Sequence, residues 1–527
     1  MNLWTHVLAG LALACAGWAL PRAAAGAHRY RWRGLWLDAL LPLTMFLLLA
    51  ALTARPLFAG AICCAMGAGF AYADRAKRRV LAEPVVFTDV FQAFDIFRHP
   101  KLALPFPHLG RVLCIVAAAG GLFFAAFRAD PAAWPWSPWI ALLPPSLLLL
   151  AGWACGGLFN AAVGASLRKL RLEGDPVRDG AQLGPFATLL AYAIIARAER
   201  VQRQSSAPAS AGSSAPRRYG AAKVPLVLVQ CESFFDARRL HPDLAGLPFA
   251  EFDRCRRAAV QWGRLAVPSW GANTVRTEFS VLSGVPPQAL GFDRFNPYHR
   301  FARAPVSSLA WRMRAEGYRT VCLHPFDRSF YGRDRVMPNL GFDAFIGEEV
   351  FGAAQRINGY VADIEVARMA GEILRQERGR VFLFVITMEN HGPWPAPAAG
   401  STVLLPAALQ LPECERNALE RYLQSLQNAD RMLGHLAEEL EELKAGGVLA
   451  FYGDHLPSFP NSFAQLGLRD LRSDYLVWRV GAAAKAGGGI GQNLDIEAHH
   501  LGAAILRAHG PHEQHAAASP RLIRGGG

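Results

Sequence analysis

Apolar residues crowd the first third of the chain in long runs and then change rhythm. Residues 3–20, 39–53, 57–72, 112–127 and 139–159 are five stretches of 15–21 residues without Asp, Glu, Lys or Arg. About 20 apolar residues cross a bilayer as a helix, and the shorter runs can borrow flanking positions. Five clustered runs predict a helical membrane domain. The first lacks a basic leader and is followed by four more, so it reads as a span and not a cleaved signal.

Beyond residue 220 the runs shorten and alternate with helical patterns. Residues 224–230 (VPLVLVQ), 319–323 (RTVCL), 381–387 (VFLFVIT) and 448–452 (VLAFY) are continuous apolar segments of strand length. Such runs fit parallel strands buried on both faces. Helical spacing separates them at 361–378 and at 415–444, where Leu419, Leu423, Leu426, Leu433, Leu436, Leu440 and Leu443 share one face. Strand–helix alternation predicts right-handed crossovers and a mostly parallel sheet. The predicted fold class is a polytopic α-helical membrane domain followed by an α/β domain.

Composition sharpens this picture. The 527 residues are 52% hydrophobic and only 18% charged, against roughly a quarter charged in soluble chains. The formal charge of +13 fits nucleic acid, an anionic membrane or a phosphorylated substrate; the apolar runs favour the membrane and argue against nucleic acid. The loop at 21–34 carries Arg22, Arg29, Arg31 and Arg33, and the loop at 73–111 carries seven Lys or Arg residues. The positive-inside rule places both in the cytoplasm, and with five spans the C-terminal domain as well. A sixth crossing at 183–196 would move that domain outside. This stretch has only 14 residues and Arg flanks, so an interfacial helix is its more ordinary reading. Residues 89–98 suit either an interfacial or a packing helix.

A Ser/Ala/Pro-rich segment at 205–216 has little to bury and reads as a linker. The resulting organisation is a transmembrane domain at 1–160, a juxtamembrane helix and linker at 161–222, a catalytic domain at 223–508 and a tail at 509–527. Of the nine Cys, five lie in the membrane runs; Cys231, Cys255, Cys322 and Cys414 have no disulfide or zinc spacing. Cys231 and Cys322 read as buried thiols. His512 and His515 read as part of a Gly/Ala-rich end.

All four predicted strands run into polar chemistry: Glu232 after the first, His324 after the second, His391 beyond the third, Asp454 and His455 after the fourth. Ligands of parallel sheets bind beyond the carboxyl ends of the strands. Two carboxylates and a His make a donor set for Mn²⁺, Mg²⁺ or Zn²⁺. Thr274 follows the flexible Gly271-Ala272-Asn273 turn and stands near the start of a short helix ending at Gly284. A helix N-terminus favours phosphate or alkoxide charge, and a metal activates a hydroxyl. The ordinary alternative is a helix cap.

The segments VQCESFFD, GANTVRTEF, HPFDRSFYGRD, ENHGPW and YGDH occur in an order that resembles lipoteichoic acid synthases and related membrane phosphoglycerol transferases. YLQSLQNADRML resembles the helix before the last motif, and the likeness extends over roughly 160–490. This family has an alkaline-phosphatase/sulfatase-like fold. The resemblance implies one divalent metal, manganese or magnesium, on Glu232, Thr274, Asp454 and His455. It makes Thr274 the nucleophile and His391 or a metal-ordered water the candidate proton donor. His324, Tyr331, Arg333 and His391 match the positions holding the glycerol-phosphate group, with Arg333 suited to bidentate contact. Asp327 stands one residue later than the family's Asp, with Phe326 in the nearer place. The implied reaction moves glycerol phosphate from phosphatidylglycerol to a glycan or glycerol-phosphate acceptor through a covalent threonine intermediate. The implied setting is the plasma (inner) membrane with an extracytoplasmic, periplasmic catalytic domain, against the loop-charge count. A phosphoethanolamine transferase and a lipid head-group phosphodiesterase are the alternatives in the same superfamily. The Cys/Ser-x-Pro-x-Arg context of a true sulfatase is absent near Thr274.

Overall fold

The computed structural model describes residues 3–26, 32–91, 172–206, 224–301, 304–377, 379–395, 403–481 and 491–510, with scattered positions between 117 and 170. Of the fourth apolar run only Ala117, Gly120, Gly121 and residues 123–127 are described, and these are helical. The fifth run, most of the linker, the later part of 89–98 and the tail with His512 and His515 lie outside the described residues.

The first three runs form α1 (Leu3–Ala24), α2 (Trp32–Thr53) and α3 (Pro56–Leu81). The segments Trp4–Ala24, Gly34–Thr53 and Pro56–Leu81 are long and apolar enough to cross a membrane. Trp4, Leu8, Trp36, Leu47, Met66 and Tyr72 are exposed on the outside of the bundle, as lipid-facing residues should be. α1 and α3 lie parallel because glycines recur at seven-residue spacing on both. A Cβ on Gly60 would land on the Gly10 carbonyl, and one on Gly67 on the Gly17 carbonyl. In a membrane, where apolar burial drives little association, such close backbone approach supplies the packing. α3 also corrects an expectation: the helix continues through the start of the predicted 73–111 loop. Arg78 Nε donates to Asp74 Oδ2 at 2.6 Å one turn back, and Lys77 pairs with Asp89 at 2.6 Å, so the charged turn is neutralised locally.

α4 (Pro176–Leu183) and α5 (Pro185–Ser206) follow. α5 contains most of the predicted interfacial stretch. Asp38 of α2 accepts the Ala187 N–H at 2.8 Å through Oδ1, and Arg22 of α1 at 2.7 Å through Oδ2. At the other end Arg200 donates to Asp293 of the catalytic domain at 2.6 and 2.8 Å. α5 therefore braces the Arg22/Asp38 end of the bundle against the catalytic domain.

The catalytic domain is built on a nine-stranded sheet. Its strands are β1 (Leu226–Cys231), β2 (Gln261–Ala266), β3 (Arg319–Leu323), β4 (Ala344–Ile346), β5 (Val381–Ile386), β6 (Gly447–Gly453), β7 (Ser473–Val480), β8 (Gln492–Asn493) and β9 (Ile496–Glu497). The order is β8-β2-β7-β6-β1-β5-β3-β4, with β9 also on β2. The four strands expected from sequence are consecutive, β6-β1-β5-β3, and mutually parallel. β7 joins antiparallel to β6 and β2, which makes the sheet mixed.

The continuous apolar runs reflect burial on both faces. Val227 and Val229 of β1 pack in one core with Leu423, Leu426, Leu433 and Leu436 of α8 (Glu413–Glu442) and with α7 (Asp363–Gln376). Leu226 and Leu228 pack in the other with Val275 and Phe279 of α6 (Thr274–Ser283) and Leu501 of α9 (Ala498–His509). Cys231 and Cys322 are buried free thiols, as expected, and Cys414 is exposed.

The glycine packing gives a direct test. Gly60→Val forces side-chain atoms into the α1 backbone, and such overpacking costs about 1–3 kcal/mol. The melting temperature of the full-length chain in detergent should fall by several degrees. Gly69→Val, whose Cβ meets nothing within 4 Å, should leave it unchanged; equal behaviour of the two variants would contradict the packing.

Candidate active site

Four parallel strands deliver four loops to one edge. β1 hands the chain to Glu232, and Ser233 follows in left-handed backbone at φ 52°. That kink lets Ser233 N–H donate to Asp454 Oδ1 at 2.8 Å while its hydroxyl donates to Glu232 Oε1 at 2.8 Å. β6 ends at Gly453, and Asp454 and His455 follow, both buried. Ligand atoms of Glu232, Asp454 and His455 all lie within 4.8 Å of one another. His455 Nδ1 is 3.0 Å from Leu456 O, which assigns the proton to that nitrogen. Nε2 then faces the cluster, 3.3 Å from Asp454 Oδ2 and 3.6 Å from Glu232 Oε1.

This trio fits a divalent cation. Asp454 Oδ2 is buried without a well-formed hydrogen bond. Burial, then the facing Glu232, pushes the Asp454 carboxyl up to about 7, against the pull of His455 and the Ser233 N–H. Burial alone would lower His455, but Asp454 and Glu232 outweigh it and raise its pKa. Buried carboxylates that raise one another's cost of ionisation mark a place for positive charge.

Thr274 is the first residue of α6. Asn273, at φ 65°, takes the cap position and makes no side-chain capping bond. The Thr274 hydroxyl is therefore not a cap; it lies 3.4 Å from His455 Nε2. Thr277, one turn on, donates to Asp454 O at 2.7 Å and ties the helix to the ligand loop.

A small cleft opens beside Thr274, lined also by Glu232, His324, Tyr331, Arg333 and His391. Phe330, Ile386 and Met388 supply its apolar wall. Six of the nine site residues read from sequence thus share the cleft, and Asp454 and His455 adjoin it through Glu232 and Thr274. Asp327 does not line it: its carboxylate accepts the Ser329 N–H at 2.7 Å and shapes the turn before Tyr331. His391 Nδ1 is 2.6 Å from Gly392 O and 3.3 Å from the Tyr360 hydroxyl. Tyr331 is in left-handed backbone at φ 58°, and Arg333 lies over its ring at 5.4 Å.

Arg333 corrects one expectation. Its Nε and Nη2 donate to Glu278 Oε1 and Oε2 at 3.1 and 2.9 Å, so the edge suited to bidentate phosphate contact is given to a carboxylate. Nη1 is 3.3 Å from His324 Nε2. Burial and the Arg333 charge hold His324 well below its ordinary pKa, hence neutral. Glu278 was missed in the sequence. It also accepts from Tyr298 at 2.5 Å and Gln230 at 2.9 Å. Its signals are its place within the GANTVRTEF segment and its position four residues after Thr274 on the same helix face. Glu389 and Asn428, within quoted motifs, are structural: they bond one another, and Glu389 accepts the Asp363 N–H at 2.8 Å at the start of α7.

With this geometry in view, the chain's relatives can be placed. The family model described as Sulfatase matches residues 225–510. The chain therefore belongs to the sulfatase family, within the alkaline-phosphatase superfamily, and is an enzyme carrying an apolar helical region N-terminal to the family's domain. The capsular polysaccharide biosynthesis protein RkpI of Rhizobium meliloti (strain 1021) is 30% identical over 460 residues, covering 83% of this chain and 80% of that protein. Lipoteichoic acid synthase 1 of Bacillus subtilis (strain 168) is 26% identical over 144 residues, 27% of this chain and 22% of that protein. The integral membrane lipooligosaccharide phosphoethanolamine transferase A (EptA) of Neisseria meningitidis shares the fold with a TM-score of 0.55 at 14% identity, over 96% of this chain and 94% of that one. The expected fold class is thereby borne out through the membrane region as well as the catalytic domain.

Metal dependence can be read without activity. A ligand at about 100 times its Kd stabilises the native state by about 2.7 kcal/mol. Mn²⁺ should raise the melting temperature of chelator-stripped protein, and Asp454→Asn should abolish the rise. An unchanged Mn²⁺ response in Asp454→Asn would place the metal elsewhere.

Proposed function

We propose that this chain is a membrane-bound phosphotransferase that moves glycerol phosphate from phosphatidylglycerol to a glycan or glycerol-phosphate acceptor and releases diacylglycerol. The observation that carries the reading is the Thr274 hydroxyl, held at a helix N-terminus beside a carboxylate–histidine cluster and opening on a cleft with Arg333 and His324. A divalent cation on Glu232, Thr274, Asp454 and His455, with Mn²⁺ or Mg²⁺ the expected ions, would lower the hydroxyl pKa and offset charge on the phosphoryl oxygens.

The remaining work falls to side chains. The α6 N-terminus and the Arg333 guanidinium attract the phosphodiester. Thr274 Oγ1 gives its proton to water and bonds to phosphorus as the bond to the diacylglycerol oxygen breaks. That oxygen takes a proton from His391, whose Nδ1 is engaged by Gly392 O, leaving Nε2 to serve the cleft. The acceptor hydroxyl then returns a proton to His391 and bonds to phosphorus as the bond to Thr274 Oγ1 breaks, and Oγ1 takes back from water the proton it gave. Tyr331 would pack against the glycerol group, while Asp327 acts only through the turn. The role of RkpI in capsular polysaccharide biosynthesis favours a surface glycan as acceptor. Transfer of phosphoethanolamine, the group named for EptA, and plain head-group hydrolysis are the competing outcomes.

The same reading puts the catalytic domain at 223–508 outside the inner membrane, with 1–160 as the membrane domain, 161–222 as the connection and 509–527 as a tail. Three of the eleven loop charges that oppose it are engaged in the fold: Arg22 with Asp38, Arg78 with Asp74, and Lys77 with Glu83 and Asp89.

Full-length protein with Mn²⁺ and head-group-labelled phosphatidylglycerol should form a glycerol-phosphate adduct on Thr274, seen by intact mass, and release diacylglycerol. Thr274→Ala should do neither while keeping its melting temperature. An ethanolamine-phosphate adduct from phosphatidylethanolamine would move the protein to the alternative, and turnover by Thr274→Ala would sink the mechanism. For orientation, a membrane-impermeant maleimide should label the exposed Cys414 in cells with a permeabilised outer membrane. Labelling only after lysis would put the domain in the cytoplasm.

A further inference from the structure

The helix that presents Thr274 is held from outside the catalytic domain. Arg276, in the first turn of α6, is only 8% exposed. Its Nη1 and Nη2 donate to Glu83 Oε2 and Oε1 at 2.7 and 3.1 Å, and its Nε donates to Phe295 O at 3.0 Å. Glu83 lies two residues past the end of α3, where the chain leaves the third membrane helix. The last turn of α3 makes two further contacts. Val80 O accepts from Ser458 Oγ at 2.5 Å. Gly271, at φ 66°, comes so near that a Cβ there would sit 2.9 Å from Val80 O. Gly271 belongs to the turn leading to Thr274, and Ser458 to the loop carrying Asp454 and His455. One helix end thus touches both loops of the candidate catalytic centre.

We propose that Glu83 is a positioning residue: through Arg276 it fixes the first turn of α6, so that the catalytic centre is complete only when docked on the exit of the third membrane helix. This rests on the reading of Thr274 as nucleophile. Asn273 offers no side-chain cap, so tertiary contacts hold that turn. Without Glu83, a buried guanidinium two residues from Thr274 loses its carboxylate. It relaxes by moving outward and carries the Thr274 hydroxyl with it. A displacement of 1 Å at a reacting group can cost about a hundredfold in rate.

The test uses the full-length chain in detergent with Mn²⁺ and two probes, phosphatidylglycerol and bis(p-nitrophenyl) phosphate, the second reading the centre whatever the natural head group. Glu83→Gln should lower kcat on the diester about tenfold or more with KM little changed, the signature of lost transition-state alignment. The exchange Glu83→Arg with Arg276→Glu should recover most of that loss, and Glu83→Asp should fall between. Wild-type kcat in Glu83→Gln, alongside an inert Thr274→Ala, would overturn the clasp and leave the nucleophile standing. A loss in Glu83→Gln that neither the exchange nor Glu83→Asp mitigates would overturn it too, as mere destabilisation. A wild type that turns over the diester but not the lipid would refute the donor and still judge the clasp. A wild type inert on both would remove the nucleophile reading and the clasp together.

Discussion

Two buried carboxylates, Glu232 and Asp454, face one another at the ends of neighbouring strands, and neither has an Arg or Lys partner among the described residues. Burying like charges at this range is costly unless positive charge is supplied. The surrounding fold is arranged to hold them there regardless. The parallel pairing of β1 with β6 sets the distance between the two loops. Ser233 in its left-handed conformation bonds both acids, and Leu456 O fixes the His455 tautomer so that an imidazole lone pair completes the set. The place of Thr274 follows from the same loop, since Thr277 is bonded to the Asp454 carbonyl. A site strained in this way makes chemical sense when a dication is part of the working protein.

A second buried charge sits on the opposite wall and is handled differently. Arg333 has its own carboxylate, Glu278, which is further satisfied by Tyr298 and Gln230. Breaking such a pair typically costs about 3–5 kcal/mol because it strands a buried charge. The guanidinium is therefore rigid before any ligand arrives, and after burial its cation is the second cause that keeps His324 neutral. The metal-type cluster and the arginine wall meet through one helix: Thr274 at the start of α6 serves the first, and Glu278 one turn later serves the second.

Much of this was legible in the sequence because burial on both faces of a parallel strand leaves an unmistakable apolar run. The four runs found are the four strands at the heart of the sheet, and the residues just beyond them gather at the candidate site. What escaped detection was what the pattern cannot encode. β2 alternates buried and half-buried residues, and the two-residue strands β8 and β9 are too short to show a rhythm, so the sheet's antiparallel side was invisible. Glu278 was hidden because an acidic residue on an amphipathic helix reads as solvated. Arg333 was read as free to grip phosphate because nothing in its own motif announces a partner 55 residues away in sequence. The charged end of α3 was read as loop, since its i,i+4 and loop-closing ion pairs look from sequence like a basic patch.

That last misreading bears on how the two parts of the chain cooperate. The polar residues where the bundle meets the catalytic domain are its joints: Asp38 holds α5, α5 holds Asp293 through Arg200, and Glu83 holds Arg276. Phe295 O, two residues from Asp293, accepts from the same Arg276, so the α5 brace and the α3 exit converge on the helix that starts with Thr274. Of the eleven basic residues counted for topology, Arg22, Lys77 and Arg78 are bound to carboxylates of their own chain, at or beside these joints. This convergence ties the exit of α3 to the candidate site. It also gives the membrane helices a task beyond anchorage, because the end of one of them is in contact with the candidate catalytic loops themselves.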